Sequence, residues 1–376
     1  MTQQTTPSLK KNPFSWWKIA LPVVIGLSVV AFMLVHESRK EDVAAVWDSI
    51  DFNAAAIGSI LLACLFMVGR DFGLTWRFRA LTNHELPWPT AWKIDMLCEF
   101  TSCVTPSAVG GSSLGMIFLN TEGNIEFGRA TTLMMTTLIL DEAFFVVACP
   151  LVVLFTPGSE IFASGGAGFS HGISLTFWLV YAFLFCWTAI LLLGVIVKPA
   201  WIARLLKKIF SLRWLRRWKD KGDSLGANMI ATSAELKSKP VRFWLEVFAA
   251  TALSWTSRYL VVNALFLGFV PGSWPDQWLI LARQFVIWVV LMVSPTPGGS
   301  GLSEWIFSEY YGDIVTSGAL VLILAIFWRL ISYYVYLVIG AIIVPSWLRK
   351  ALGMMRRNNK KATVNNVQTL TDEKSK

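Results

Sequence analysis

Two apolar stretches of the chain are interrupted by proline and paired glycines. The first covers about residues 91–120 and is broken at 105–111 (TPSAVGG), and the second covers about 278–311 and is broken at 294–301 (SPTPGGSG). Such breaks expose backbone N–H groups at the positive end of a helix, which suits a phosphate group. The alternative is that the glycines only allow helices to pack tightly. The residues that we assign to a substrate site from these breaks are Pro106, Gly110, Gly111, Pro297, Gly298, Gly299 and Gly301.

Charged side chains inside the apolar runs are the second sign of a site. Asp141 and Glu142 lie near the middle of one run, and Arg258 and Arg329 lie near the middle of two others. Each would cost about 2.5–3.5 kcal/mol at a helix centre, so they are expected to pair or to line a wet cavity. Four more ionisable residues lie within or beside the broken stretches: Asp95, Glu99, Arg283 and Glu304.

These charges suggest phosphate binding, because guanidinium groups bind phosphate bidentately. Arg258, Arg283 and Arg329 are therefore candidates to hold a lipid phosphate. The acids, including Glu99, Glu304, Asp141 and Glu142, could neutralise the arginines in the empty state or carry protons. Structural ion pairs, for example Asp141 or Glu142 with Arg258 or Arg329, are the alternative.

Catalytic and metal chemistry find little support in the sequence. Residues 298–301 match the GxSG motif of intramembrane serine proteases, but that chemistry needs a nearby histidine base, and His36, His84 and His171 all fall in predicted loops. The chain has no HExxH or Walker A sequence, and its five cysteines form no CxxC pair. We therefore expect no enzyme activity, no metal site, no cofactor and no disulfide framework.

The composition indicates a membrane protein. The chain has 376 residues, of which 55% are hydrophobic and 15% charged, whereas ordinary globular domains carry about 25% charged residues. Several apolar runs reach the roughly 20 residues that cross a hydrocarbon core. Many of the nineteen tryptophans lie near the ends of these runs, as in the aromatic belts of membrane interfaces.

The apolar runs and the positive charges predict a topology. The predicted spans lie near residues 17–35, 53–70, 130–156, 173–197, 243–270 and 315–344. The first is expected to be a retained span, because no small-residue cleavage site follows it. Lysine and arginine residues put both termini in the cytoplasm, together with the connection that carries Arg70, Arg77, Arg79 and Lys93.

This orientation requires each broken stretch to enter and leave on the same face, the first from the cytoplasm and the second from outside. Paired broken segments of opposite orientation are typical of inverted-topology repeats, with the site between them. Two short tilted spans per stretch would give the same faces. We therefore predict an all-α polytopic integral membrane protein with about six transmembrane helices plus two re-entrant hairpins. Its parts would be a polar tail at 1–12, a transmembrane domain at 13–347 and a basic, polar tail at 348–376.

The net charge of +9 is concentrated in two segments. Residues 198–242 contain twelve Lys and Arg against three acids, and the tail after Trp347 is also basic. Basic segments beside spans indicate cytoplasmic loops facing anionic lipid. Nucleic acid is a weaker alternative, since no nucleic-acid-binding module accompanies them. Large apolar residues alternate with Lys and Arg over 198–221, which favours an amphipathic helix in the membrane interface.

The same broken segments carry a family resemblance. Residues 295–304 (PTPGGSGLSE) closely resemble the PTPGGxGxxE signature of the lysylphosphatidylglycerol synthase transmembrane region, or flippase-like, family. Residues 105–111 are similar to that family's earlier TP…GG motif, and residues 69–79 to the arginine-rich end of its second span. The resemblance covers about residues 20–345 and implies a fold that moves a lipid between leaflets. Many relatives follow the first glycine motif with Glu and Arg, whereas residues 112–115 here are SSLG, so the resemblance does not imply a shared headgroup.

In lysylphosphatidylglycerol synthases this region accompanies a soluble aminoacyl-transferase domain. No segment of this sequence is expected to form such a domain, so the chain resembles the stand-alone members. Two functions follow as hypotheses. The first is translocation of a phospholipid or lipid-linked headgroup across the inner membrane, with anionic or phosphate-bearing membrane lipids as partners. The alternative is a non-transporting scaffold that binds a lipid-synthesising enzyme through its basic loop.

Overall fold

The computed structural model describes residues 43–50, 52–105, 109–163, 167–210, 219–294, 296, 299–315 and 317–351, together with Val35 and Gly353. Within these residues the chain is helical and contains no strand, which confirms the predicted all-α class. The first helices are α1 (Val43–Ser49), α2 (Ala54–Leu81), α3 (Trp88–Val104), α4 (Val109–Gly123), α5 (Phe127–Leu154) and α6 (Gly158–Ile161). The next are α7 (Ala167–Leu191), which continues as a π-helix (Leu192–Val197), α8 (Pro199–Phe210), α9 (Lys219–Lys237) and α10 (Val241–Phe269). The last are α11 (Gln277–Leu291), α12 (Leu302–Tyr311) and α13 (Gly318–Arg329), which continues through a π-helical turn (Leu330–Tyr334) to Ala351.

Four described helices are long and apolar enough to cross a membrane: α2, α5, α7 with its π-helical end, and α13. They overlap the spans predicted near 53–70, 130–156, 173–197 and 315–344, although α2 and the helix that begins with α13 extend past the predicted ends. The span predicted near 243–270 forms α10, whose 29 residues extend for about 43 Å at 1.5 Å per residue. The span predicted at 17–35 lies outside the described residues except for Val35, so the count of six spans stays a prediction.

The end predicted for the second span was wrong. α2 does not stop at Arg70 but continues to Leu81, so Arg70 and Arg77 lie within the helix rather than in a connecting loop. Both residues are only 4% exposed. The helix begins where the Oδ1 of Asn53 accepts hydrogen bonds from the backbone N–H groups of Ala55 and Ala56, at 2.9 and 3.0 Å. A side chain of this kind satisfies N–H groups that have no partner within the helix.

α2 and α10 form an antiparallel pair at the centre of the molecule. Along the pair, Ser59 approaches Gly268, Gly69 approaches Ser257, and Gly73 approaches the backbone of Ala250. A Cβ added at Gly73 would lie 2.8 Å from the carbonyl oxygen of Ala250. Since this is closer than van der Waals contact allows, the absence of a side chain at Gly73 is what lets the two backbones approach so closely.

Each broken stretch forms two short helices, one before its break and one after it. α3 and α4 flank the first break and have 17 and 15 residues, and α11 and α12 flank the second and have 15 and 10 residues. The longest of these helices extends for about 25 Å at 1.5 Å per residue, which is less than the roughly 30 Å of a hydrocarbon core. The paired breaks therefore occur where the sequence predicted them, while re-entry from one face stays a prediction.

The basic segment forms a helix at its start. α8 presents Trp201 and Leu205 as exposed apolar side chains beside Arg204 and Lys207, which is the amphipathic character expected of 198–221. Residues 211–218 and the basic tail beyond 353 lie outside the described residues.

Candidate functional site

A cavity of about 290 Å³ lies between the two broken helix pairs, at the middle of the bundle. Residues from α2, α3, α5, α10, α11, α12 and α13 and from the second break line it. The structure thus brings together side chains from both halves of the sequence. The predicted site residues that line this cavity are Glu99, Asp141, Glu142, Arg258, Gly299 and Arg329.

Arg70 is held on the wall of this cavity by two acids and a tyrosine. Its Nη2 lies 2.5 Å from Glu99 Oε2 on α3, and its Nη1 donates to Asp71 Oδ1 and to the hydroxyl oxygen of Tyr336, at 3.0 Å each. Tyr336, on α13, in turn donates to Asp71 Oδ1 at 2.6 Å. The guanidinium therefore joins α2, α3 and α13 and is balanced by neighbouring carboxylates.

Arg77 is held in the same way about two turns further along the same face of α2. Its Nη1 and Nη2 both bind the carboxylate of Asp141 on α5, and its Nη1 also donates to Thr251 Oγ1 on α10 at 3.3 Å. Trp255 donates its indole N–H to Asp141 Oδ1 at 2.7 Å. Asp141 is thus part of a structural ion pair, but its partner is Arg77 rather than Arg258 or Arg329.

Glu304 and Arg329 form a fully enclosed pair behind the second break. Arg329 Nε donates to Glu304 Oε1 at 2.9 Å, and the two residues are 5% and 0% exposed. The other oxygen, Glu304 Oε2, accepts from the backbone N–H of Gly301 at 2.8 Å and from Ser303 Oγ at 2.7 Å. A carboxylate of the chain itself therefore occupies the N-terminal end of α12, where the sequence suggested a seat for phosphate.

The backbone of the second break requires glycine at two positions. Gly299 and Gly301 have φ angles of +70° and +85°, which L-residues rarely adopt. This turn directs Ser300 inward, where its Oγ donates to the Tyr333 hydroxyl at 3.2 Å and accepts from Arg329 Nη2 at 3.4 Å. The serine of the GxSG sequence thus contacts a tyrosine and an arginine.

Three ionisable residues on the cavity wall lack an ion-pair partner among the described residues. Arg258 makes no hydrogen bond to any described atom, and its guanidinium carbon lies 5.8 Å from the ring centre of Trp255. Asp95 is 1% exposed, and its Oδ2 has no hydrogen-bond partner in the described part of the chain. Glu142 accepts a hydrogen bond from Thr188 Oγ1 at 3.2 Å but meets no described cation.

One predicted site residue lies away from the cavity. Arg283 binds the carboxylate of Asp313 through Nη1 and Nη2, at 2.5 and 2.6 Å. It also donates to the carbonyl oxygens of Tyr310 and Glu160, at 2.7 and 2.9 Å. Because α6, α11 and the end of α12 meet on this one guanidinium, Arg283 holds together the ends of α11 and α12 that lie away from the break.

The remaining predicted site residues lie at the two breaks. Pro106, Pro297 and Gly298 fall outside the described residues, and Gly110 and Gly111 belong to the first turn of α4, where side-chain surroundings are not described. The region that the structure describes holds no group of three His, Cys, Asp or Glu side chains suited to a metal ion.

Aromatic rings form part of the apolar wall of the cavity, together with leucine, isoleucine and methionine side chains. Trp255 and Trp288 line it, and Phe145 stacks on Trp288 with 3.4 Å between ring centroids and 9° between ring planes. The cavity therefore combines an apolar wall with charged groups from α2, α3, α5 and α10, as ligand sites with oriented polar headgroups do.

Comparison with known proteins agrees with this architecture. The sequence profile of the lysylphosphatidylglycerol synthase TM region matches residues 19–340, which covers most of the chain. A UPF0104 membrane protein of Archaeoglobus fulgidus is 24% identical over 311 residues, which are 78% of this chain and 88% of that protein. No solved structure gives a significant match.

Proposed function

The chain belongs to the family of lysylphosphatidylglycerol synthase TM regions, and on that premise we propose that it moves a lipid with an anionic, phosphate-bearing headgroup between the leaflets of the cytoplasmic membrane. Both termini would lie in the cytoplasm, as the positive charges predict. The headgroup would bind in the central cavity, and rocking of one repeat against the other would expose it to each face in turn.

The observation that carries this proposal is the position of Arg258. Of the four arginines on the cavity wall, Arg70, Arg77 and Arg329 are each bound by a carboxylate. Arg258 is the one with no such partner among the described residues. A cation at membrane depth is costly unless it meets an anion, and phosphate offers a guanidinium a bidentate partner.

The size of the cavity indicates which part of a lipid it holds. Its volume of about 290 Å³ lies at the small end of the roughly 300–1,000 Å³ of small-molecule pockets. Such a volume fits a headgroup and excludes two acyl chains, which would remain in the bilayer. A site that takes only the headgroup suits translocation, because the tails never have to leave the hydrocarbon.

The direct test is leaflet exchange in proteoliposomes. Fluorescent phosphatidylglycerol would be distributed over both leaflets, and the fraction accessible to dithionite would be followed over time with and without protein. Arg258→Ala should slow the protein-dependent exchange about ten- to a hundredfold, since a charge-assisted hydrogen bond contributes about 1.5–3 kcal/mol. Arg258→Lys should retain part of the activity because it keeps the charge but loses the planar fork.

Arg242→Ala is the matched control. Arg242 lies on the same helix as Arg258 but at its exposed N-terminal end, away from the cavity, so its loss should leave exchange near the wild-type rate. If no anionic lipid moves in the presence of the wild-type protein, the proposed function is wrong. If Arg258→Ala moves the lipid as fast as wild type, the headgroup does not bind at Arg258 and the proposed mechanism is wrong.

A further inference from the structure

Asp95 is a buried acid on the wall of the same cavity, and it has no part in the proposed binding of the headgroup. It lies on α3, is 1% exposed, and lines the cavity, and its Oδ2 has no hydrogen-bond partner among the described atoms. A buried carboxylate without a partner carries a large desolvation cost unless it is neutralised. The cavity thus contains an acid whose counter-charge is not supplied by the described part of the chain.

The cations nearest to Asp95 are already engaged. Arg70 is bound by Glu99 and Asp71, and Arg77 is bound by Asp141. The titratable and charged groups that interact with Asp95 or line the cavity with it are Arg70, Asp71 and Arg77 on α2, Cys98, Glu99 and Cys103 on α3, Asp141 and Glu142 on α5, Arg258 and Tyr259 on α10, and Arg329 and Tyr333 on α13. Among the described residues of α4, which packs on α3, the ionisable side chain is Glu122, bound by Lys93 and Lys350 at the other end of the helix.

Arg258 is the arginine on the cavity wall without an ion-pair partner in the described region, and it lines the same cavity as Asp95. Charges on this wall act on one another across the cavity, where screening by water is weak. When an anionic phosphate binds Arg258, a further negative charge enters the cavity and raises the free-energy cost of keeping the Asp95 carboxylate ionised. A proton is the smallest cation that removes this cost.

We propose that Asp95 takes up one proton when an anionic headgroup occupies Arg258, so that the lipid and the proton cross the membrane together. This inference rests on the proposed function and adds its coupling ion. On the side of entry, a proton from water forms an O–H bond with the Asp95 carboxylate. On the side of exit that bond breaks and the proton returns to water, while no bond of the lipid changes.

Asp95 fits this role better than the other acids of the cavity. Glu99 and Asp141 are each bound to an arginine, so protonating either would break an ion pair. Glu142 has its Oε2 satisfied by Thr188. Asp95 can accept a proton on Oδ2, which has no hydrogen-bond partner among the described residues.

A stoichiometry of one proton per lipid predicts how transport responds to a pH gradient and to a membrane potential. A phosphodiester headgroup carries one negative charge, so one lipid and one proton cross as a neutral pair. A pH gradient should therefore drive the lipid, whereas a membrane potential should not. With one-to-one coupling, a gradient of one pH unit corresponds to an asymmetry of about tenfold between the leaflets at steady state.

The experiment measures this asymmetry for fluorescent phosphatidylglycerol in proteoliposomes, with potassium and valinomycin holding the membrane potential at zero. Wild-type protein should accumulate the lipid in the leaflet facing the more alkaline side, by about tenfold per pH unit. Asp95→Asn should bring the asymmetry to one, whatever rate of exchange remains. Glu85→Gln, which neutralises an exposed acid that does not line the cavity, should keep the asymmetry.

Several results would overturn the coupling. Wild-type exchange without asymmetry, asymmetry retained in Asp95→Asn, or asymmetry produced by a sodium gradient at equal pH would each contradict it while leaving lipid movement intact. A second readout needs no variant: a gradient of the anionic lipid imposed on the wild-type protein should move protons, detected by a pH-sensitive dye inside the vesicles. If no lipid moves under any condition, the proposed function fails as well, so the two failures can be told apart.

Discussion

The hydroxyl group of Tyr333 donates a hydrogen bond of 3.1 Å to the carbonyl oxygen of Cys103. Cys103 lies in the last turn of α3, just before the first break, and the same hydroxyl accepts a hydrogen bond from Ser300 in the second break. One side chain thus joins the two broken segments. Tyr333 belongs to the π-helical turn of α13, a local distortion that is frequent at functional sites.

We predict that Tyr333→Phe loosens the contact between the two breaks. Loss of a buried hydrogen bond shifts an equilibrium by about 0.5–1.5 kcal/mol, which is about two- to tenfold. The readout is the thiol of Cys103, which is 6% exposed, in a background without the other four cysteines. Its rate of maleimide labelling should rise by that factor.

Tyr334→Phe is the control for this experiment, since Tyr334 is in the same turn and its hydroxyl forms no hydrogen bond to a described residue. Its labelling rate should match that of wild type. Equal rates in all three proteins would mean that Tyr333 does not hold the breaks together.

The buried pair of Glu304 and Arg329 should contribute far more to stability than an exposed pair. Removing one partner of a buried ion pair leaves an uncompensated charge and costs about 3–5 kcal/mol, whereas an exposed pair contributes about 0–1 kcal/mol. Glu304→Gln should therefore lower the thermal unfolding temperature in detergent strongly. Glu85→Gln, which breaks the exposed pair with Arg129, should change it little.

Equal changes of the unfolding temperature in the two variants would show that the Glu304–Arg329 pair stabilises the protein no more than an exposed ion pair does. Replacing both partners by apolar residues, as in Glu304→Leu with Arg329→Met, should recover part of the stability, because no charge is then left buried alone.

The sequence predicted the architecture well because its signals were local. Apolar length gives the spans, and the Pro-Gly-Gly breaks at 105–111 and 294–301 mark where each short helix ends. Arg70 and Arg77 were misjudged for a physical reason: the positive-inside rule counts charge near the ends of spans and does not register acids that neutralise an arginine within the bundle. The signal that could have found them is helical spacing, since Arg70, Leu74 and Arg77 fall on one face of α2 and all line the cavity.

Pairings between distant residues could not be read from the sequence. Arg283 and Arg258 are both arginines within apolar helices, but Arg283 forms an ion pair with Asp313, whereas no described acid lies within ion-pair distance of Arg258. Glu304 was correctly assigned to the second break, yet its role as the partner of Arg329 follows from how α12 packs on α13. Such contacts depend on tertiary packing, which periodicity alone does not encode.

The close contact between α2 and α10 should be sensitive to a single methyl group. At Gly73 an added Cβ would lie 2.8 Å from the carbonyl oxygen of Ala250, so Gly73→Ala must push the two helices apart. Overpacking of this kind costs about 1–3 kcal/mol and should lower the unfolding temperature in detergent.

Gly58→Ala on the same helix is the matched control. Nothing lies within 4 Å of a Cβ at Gly58, and alanine is favoured over glycine within a helix by about 1 kcal/mol. That variant should therefore be as stable as wild type or more stable. A destabilised Gly58→Ala together with an unaffected Gly73→Ala would contradict the antiparallel packing of α2 on α10.

Substitutions in the basic helix α8 distinguish the transport hypothesis from the scaffold hypothesis. Arg204 and Lys207 are exposed on α8 beside Trp201 and Leu205, and none of the four lines the central cavity. If the protein transports lipid, Arg204→Gln with Lys207→Gln should leave exchange in proteoliposomes within about twofold of wild type, because exposed charges far from a site act weakly through screened interactions. Arg258→Ala should abolish most of it. The reverse pattern, with the α8 variant inactive and Arg258→Ala fully active, would favour a scaffold that works through its basic segment.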